Sequence, residues 1–272
     1  MVLAFTLTLI AGLATIIGGI IGIHKSMNRP GRLSVMLAFA AGAMLCVSFL
    51  DLIPAAIDSL GHSSNTTLGL TITLLSITGG ALIVYVIDRL IPCSNSVKCA
   101  IKKEKGCIRR DEREGSGQKM KLLRSGIVIT AIMAIHNFPE GIVTFTGAMH
   151  DMSLGLSLAF AIALHNIPEG ISIASPVYAA TGNKLRAIKY TIISALAEPL
   201  GALFGYVLLI RTLPESTYGA IFAATAGMMI YISLSELLPS ACFHSTHKRQ
   251  PFWGTGAGVS VIAVSLILMD VM

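Results

Sequence analysis

The chain has 272 residues, of which 54% are hydrophobic and only 12% charged, and its mean hydropathy is +0.76. A soluble domain carries about 25% charged residues, so this composition argues against one and points to a polytopic helical membrane protein. The formal charge of +6 does not mark a nucleic-acid binder, because no basic soluble domain exists to carry it.

Eight apolar runs are long enough to cross a bilayer, near 3–23, 33–57, 67–91, 123–148, 153–177, 187–210, 218–239 and 252–270. They fill nearly the whole chain, so residues 1–272 read as a single polytopic domain. A β-barrel would instead show alternating segments of ~10 residues. The first run lacks a basic leader and a convincing cleavage site, and is expected to stay as a helix. Of the 20 Lys and Arg residues, 19 fall in or beside the loops after spans 1, 3, 5 and 7, and only Arg211 falls elsewhere. The positive-inside rule puts that group in the cytoplasm and both termini outside. The compact chain suits a prokaryotic cytoplasmic (inner) membrane, with a eukaryotic membrane as the alternative. The one long loop, about 93–121, is rich in Lys, Arg and Glu and is expected to be a mobile cytoplasmic segment. Its Cys93, Cys99 and Cys107 match no compact zinc spacing. With Cys242 they lie on the predicted cytoplasmic side, where thiols stay reduced; Cys46 falls within span 2.

An internal repeat runs through the spans. Span 2 reads AGAMLCVSFLDLIPAA from Ala41 and span 7 reads AGMMIYISLSELLPSA from Ala226. At an offset of 185, Gly42 meets Gly227, Ser48 meets Ser233, Pro54 meets Pro239, and Asp51 pairs with Glu236. Span 1 (LATIIGGIIG from Leu13) aligns more weakly with span 6 (LAEPLGALFG from Leu196), with Thr15 against Glu198. The paired spans run in opposite directions. Spans 1–3 and 6–8 are therefore candidates for an inverted repeat around spans 4 and 5, an arrangement typical of secondary transporters.

Spans 4 and 5 each carry one copy of a six-residue motif: His136-Asn137-Phe138-Pro139-Glu140-Gly141 and His165-Asn166-Ile167-Pro168-Glu169-Gly170. Helical spacing puts His136 and Glu140 on one face with Asn137 beside them, and repeats this for His165, Glu169 and Asn166. A short loop around His150 and Asp151 makes the two spans antiparallel, so the motifs should meet near the bilayer centre. Glu198, midway along span 6, adds a carboxylate. Pro139 and Pro168 free the carbonyls of Ile135 and Leu164, which are tolerated where they face protein or a watery cavity. Gly141 and Gly170 permit close helix approach.

A charged residue at mid-membrane costs roughly 2.5–3.5 kcal/mol, so the three glutamates together cost on the order of 8–10 kcal/mol. No Lys or Arg lies deep in a span to offset this. The missing counter-charge is most simply a bound or transported cation, or protons. Imidazole with carboxylate suits Zn, Fe, Mn, Co and Ni, and the lack of a central cysteine disfavours a Cu(I) site. Asp51 and Glu236 are candidates for the external and cytoplasmic mouths of a path. His62 and His150 on outer loops, and His244 and His247 on an inner loop, read as ordinary loop histidines or as residues handing metal in and out. No phosphate-binding loop is present, so no ATP use is expected. A metallohydrolase is disfavoured, because the acid stands where the second His of HExxH should be. A metal-gated channel or sensor stays open as an alternative.

With its doubled HNxPEG, eight spans and long loop after span 3, the chain resembles the ZIP (Zrt-, Irt-like) family of divalent-metal transporters. Ala197-Glu198-Pro199 and the short loops look most like the bacterial ZupT-type branch. The resemblance implies an all-α transporter, not an enzyme, that moves Zn2+ and also Fe2+, Mn2+ and Co2+ into the cytoplasm. It implies a binuclear-type site in which His136, Glu140, His165 and Glu169 bind metal. Asn137, Asn166 and Glu198 would complete a second, adjacent position, with Glu140 and Glu169 bridging. The cation is cargo, and no resident cofactor is expected. In some relatives the span 5 motif begins Gln-Asp, and this chain departs from them at His165 and Asn166. The family often forms homodimers. An elevator-like motion of spans 1, 4, 5 and 6 against 2, 3, 7 and 8 has been proposed for relatives.

Overall fold

The structure, a computed structural model, describes residues 1–24, 30–63, 66–90, 115–210 and 215–271. Its elements are α1 (Val2–Gly22), α2 (Pro30–Val47), α3 (Ile53–Ser63), α4 (Thr66–Leu90), α5 (Gly115–His150), α6 (Met152–Thr181), α7 (Lys184–Ala195), α8 (Ala197–Ile210), α9 (Glu215–Ile232), α10 (Leu238–Phe243) and α11 (Gln250–Val271). No strand occurs among the described residues. Seven helical stretches are long and apolar enough to cross a membrane, and α5, at 36 residues, has the length to be the eighth. Large apolar side chains such as Leu74 (65% exposed), Leu75 (67%) and Ile267 (64%) face outward from mid-helix, while His136, Glu140, His165, Glu169 and Glu198 are buried. That polarity is the reverse of a soluble protein's and is the one that lipid favours. The protein is an all-α integral membrane protein.

Two departures from helical regularity come from prolines. Ser48–Leu52 and Ser233–Leu237 are π-turns that carry α2 into α3 and α9 into α10. They occupy the same positions of the repeat. Pro54 and Pro239 cannot donate to the carbonyl four residues back, and the ladder loosens: the Ile53 N–H reaches the Ser48 carbonyl and the Leu238 N–H the Ser233 carbonyl. Asp51 and Glu236 each sit inside one of these turns. The second departure divides the expected span 6, which breaks at Leu196 between α7 and α8. Pro199 cannot donate to the Ala195 carbonyl, and Glu198 falls in the first turn of α8, where the helix dipole favours a carboxylate.

Other boundaries also move. Helix α5 begins at Gly115 rather than near 123, so the last part of the expected 93–121 loop is helical. Gly115-Ser116-Gly117 sits at the helix end, where poor formers cost little, and Lys, Met and Leu follow as good ones. Residues 93–114, with Cys93, Cys99 and Cys107, lie outside the described residues, as does Arg211. Helix α3 runs on to Ser63, past the expected end of span 2 at 57.

The helices form two groups. Helices α1, α5, α6, α7 and α8 pack together around the two motifs; α2 packs along α11, and α4 along α9. The groups meet where α2 lies on α6 and α9 on α5. Four pairs of close contacts at glycines match across the inverted repeat. The Glu198 carbonyl fills the notch at Gly141, and the Thr15 carbonyl the notch at Gly170. The Phe138 carbonyl faces Gly201, as the Ile167 carbonyl faces Gly18. In the other group, Gly42 receives the Thr255 carbonyl and Gly227 that of Ile77, while Gly80 receives Ala224 and Gly258 receives Phe39. A β-carbon at any of these glycines would run into backbone, so the close approach that small residues permit in membranes is built in symmetric pairs. Helices α4 and α11 are thereby equivalent at an offset of 178, and the α1 to α8 alignment holds at 183.

Candidate metal site

The α5–α6 hairpin turns on Asp151 alone. Its carboxylate caps α6 by accepting the Ser153 N–H at 2.8 Å, and its own N–H donates to the Gly147 carbonyl. So tight a turn sets the motifs side by side, and each histidine meets the other helix's glutamate. His136 Nε2 is 3.1 Å from Glu169 Oε1, and its Nδ1 is 3.2 Å from the Ile132 carbonyl. With Nδ1 donating to that carbonyl, the Nε2–Oε1 contact is a hydrogen bond only when a second proton lies between them. The counterpart pair is looser. His165 Nε2 stands 3.5 Å from Glu140 Oε2, and neither group finds a hydrogen-bond partner.

Glu198 joins from α8. Its Oε1 accepts a short hydrogen bond from Asn166 Nδ2, which also donates to the Ala11 carbonyl at 2.9 Å. Gly12 leaves room beside the Glu198 side chain. All seven expected ligands, His136, Asn137, Glu140, His165, Asn166, Glu169 and Glu198, are at most 1% exposed. Nine of their side-chain atoms lack a hydrogen-bond partner: both of Asn137, both of Glu140, both ring nitrogens of His165, Asn166 Oδ1, Glu169 Oε2 and Glu198 Oε2. Native proteins leave few buried polar atoms orphaned, and each costs about 1–3 kcal/mol. Their concentration at one place, mostly as oxygen and imidazole nitrogen, is the donor chemistry of a divalent transition metal. As the side chains stand, no three His, Cys, Asp or Glu groups among the described residues enclose a common point, because the imidazoles face carboxylates.

A family model described as the ZIP zinc transporter matches residues 1–266. The chain belongs to the ZIP zinc transporter family. Curated relatives described as zinc transporter ZupT agree along the whole length. The one from Streptococcus mutans is 40% identical over 265 residues, covering 97% of each chain. That of Chlorobaculum parvum has the same identity and coverage, and that of Oceanobacillus iheyensis is 40% identical over 99% of this chain and 98% of its own. A ZIP protein is a transporter, not an enzyme, and the doubled motif lies where this ZIP chain buries its polar groups.

The remaining expected residues sit at the edges. Asp51 lines an open cavity with Leu50, Asp151, Ser153, Ser157 and Leu266. Glu236 lines a second, narrow one with Val84, Asp88, Ile132, Tyr231, Ile232 and His136. Neither acid marks a helix end, because α3 and α10 continue beyond them. Asp88, on α4, is the residue the sequence did not single out. It is 8% exposed and accepts a hydrogen bond from the Tyr231 hydroxyl at 3.3 Å. Next to Arg89 it reads as an interfacial charge, yet Arg89 lies over the Tyr85 ring, 5.2 Å from its centroid. His150 ends α5 exposed and His247 is exposed. His244 Nδ1 lies 2.8 Å from the Ser240 carbonyl. His62 falls in α3, its side chain outside the described set.

Proposed function

We propose that this ZIP protein carries divalent transition-metal cations, Zn2+ first and also Fe2+, Mn2+ and Co2+, into the cytoplasm through the α5–α6–α8 site. The observation that carries this reading is the cluster of nine orphaned polar atoms between two cross-helix His–Glu pairs. A cation entering the cluster displaces the shared proton of His136 and Glu169 and draws in the carboxylates. Glu140 and Glu169 each face the other motif's histidine and would bridge two adjacent positions. Asn137, Asn166 and Glu198 serve the second. The cation is cargo, and the mechanism calls for no resident cofactor.

Alternating access follows from the inverted repeat. Cargo enters past Asp51, reaches the site, and leaves past Asp88 and Glu236. Direction rests on the basic loops, which by the positive-inside rule place the Glu236 side in the cytoplasm and both termini outside. The cell membrane of a bacterium is the setting that the ZupT-described relatives suggest.

The test is uptake of a panel of divalent ions into proteoliposomes holding purified protein. Saturable Zn2+ uptake is expected, lost at least about 100-fold in Glu140→Gln/Glu169→Gln, as for removal of first ligands or their supports. Full-rate uptake by that double variant would overturn the site. Tight binding without flux would move the protein to a sensor.

A further inference from the structure

We propose that Thr15 is the pseudo-symmetric counterpart of Glu198 and that its hydroxyl serves the Asn137 half of the site, as a neutral oxygen donor to the cargo cation or its bound water. This rests on the metal-site reading above and adds a residue to it.

Three observations carry it. First, the repeat makes the two positions equivalent in space: the Thr15 carbonyl fills the notch at Gly170 as the Glu198 carbonyl fills that at Gly141. From its place beside the α5 motif, Glu198 reaches across to Asn166 of the α6 motif. By the same relation, Thr15 beside α6 stands to Asn137 of α5 as Glu198 beside α5 stands to Asn166 of α6. Second, Thr15 Oγ1 is an orphan. Thr15 is fully buried and its hydroxyl has no hydrogen-bond partner. Five other buried threonines, Thr8, Thr73, Thr144, Thr146 and Thr191, donate to the carbonyl four residues earlier. For Thr15 that carbonyl belongs to Ala11, and Asn166 Nδ2 occupies it. Third, both polar atoms of Asn137 are orphaned as well. A hydrated cation held between α1 and α5 would give both residues a partner.

The chemistry differs between the halves. Asn166 and Glu198 present an amide and a carboxylate; Asn137 and Thr15 present an amide and a hydroxyl. The carboxylate count stays at three, Glu140, Glu169 and Glu198. Two divalent cations are then not fully neutralised, which keeps the cargo releasable. A hydroxyl is also a hard, neutral donor, so it discriminates little among hydrated divalent ions.

The experiment measures Zn2+, Mn2+ and Cd2+ binding to purified protein by equilibrium dialysis, alongside thermal unfolding without metal. Thr15→Val removes the hydroxyl at nearly constant shape and is expected to weaken Zn2+ binding about tenfold, the lower end for groups that support a metal site. Thr15→Ser is expected to keep wild-type binding. Thr15→Cys replaces the hydroxyl with a soft donor and is expected to shift preference towards Cd2+ and away from Mn2+. The unfolding temperature without metal should not be lowered, and Thr15→Val should raise it, because a buried unpartnered hydroxyl is removed. Equal binding by Thr15→Val and wild type, or equal weakening in Thr15→Ser and Thr15→Val, overturns the proposal. If Thr15→Val does not fold, an unaltered metal preference in Thr15→Cys does the same. Glu140→Gln/Glu169→Gln separates the two levels: loss of binding there with none in Thr15→Val sinks only this inference, and retained binding sinks the site.

Discussion

On the Glu236 side of the bundle, a narrow cavity lined by Val84, Asp88, Tyr231 and Ile232 runs up to His136. On the Asp51 side, the cavity is wider at its mouth but is lined by Leu154 and Ser157 and does not include His165, which is fully buried. The two faces are related by the inverted repeat. Tyr231 corresponds to Cys46, Ile232 to Val47, Val84 to Ile262, and Asp88 to Leu266. Equivalent backbones therefore carry unequal side chains: the cavity on the Glu236 side touches His136, and the cavity on the Asp51 side touches neither motif histidine. Under the alternating-access reading proposed above, these substitutions are what would distinguish the two states.

The largest effect comes from breaking the scaffold that both faces share. Gly170→Val would drive a side chain into the Thr15 carbonyl, and Gly141→Val into that of Glu198. Backbone cannot yield as a side-chain tip does, so each costs about 3 kcal/mol or more. Folded yield on size-exclusion chromatography should collapse for both variants alike. Gly79→Val, with nothing near its missing β-carbon, should be recovered at normal yield. Survival of one notch variant but not the other would mean that the two motifs are not held equivalently.

A smaller effect separates the faces by charge. Asp88→Asn removes a buried carboxylate from the path that reaches His136, and Leu266 offers no such group at the equivalent place. Acidic lining concentrates cations in a cleft by roughly tenfold or more, so Asp88→Asn should cut Zn2+ uptake about tenfold. Leu266→Asn should change it less than about twofold. Tyr231→Phe, which removes the hydroxyl that donates to Asp88, should fall between them. Initial-rate uptake in proteoliposomes decides the order, and equal effects at Asp88 and Leu266 would erase the distinction between the faces.

Much of this was legible in the chain because lipid tolerates so little. Carboxylates and imidazoles in apolar runs have few explanations, and HNxPEG, Glu198, Asp51 and Glu236 stand out for that reason. The repeat was readable at Gly42/Gly227 and Pro54/Pro239. Its weaker arm, Thr15 against Glu198, was readable only as an alignment, since burial and an occupied Ala11 carbonyl are properties of packing. Pro199 is visible in sequence, but whether a proline kinks a helix or splits it depends on what its freed carbonyl meets. The π-turns likewise need coordinates: acid-x-x-Pro repeats in the letters, while the loosened ladder does not. Asp88 was missed because an Asp-Arg pair at a span end normally faces water, and only the approach of Tyr231 from α9 removes it from that class.

The subtlest test uses Cys46. Its pseudo-equivalent Tyr231 lines the path to the site, whereas Cys46 is 5% exposed and its Sγ lies 3.5 Å from the Val259 carbonyl. If alternating access exchanges the conformations of the two halves, the opposite state opens a path along Val47, Ile262 and Cys46 towards His165. Minor states in such equilibria have populations of about 0.1–10%. In a variant with Cys93, Cys99, Cys107 and Cys242 replaced by Ser, an impermeant maleimide applied from the Asp51 side should label Cys46 at about that fraction of the free-thiol rate. The same reagent applied from the Glu236 side should label it far more slowly. Reversed sidedness, or labelling only on unfolding, would mean that the two faces do not exchange roles. The asymmetry between Tyr231 and Cys46 would then be a fixed feature of one path and not the mark of two states.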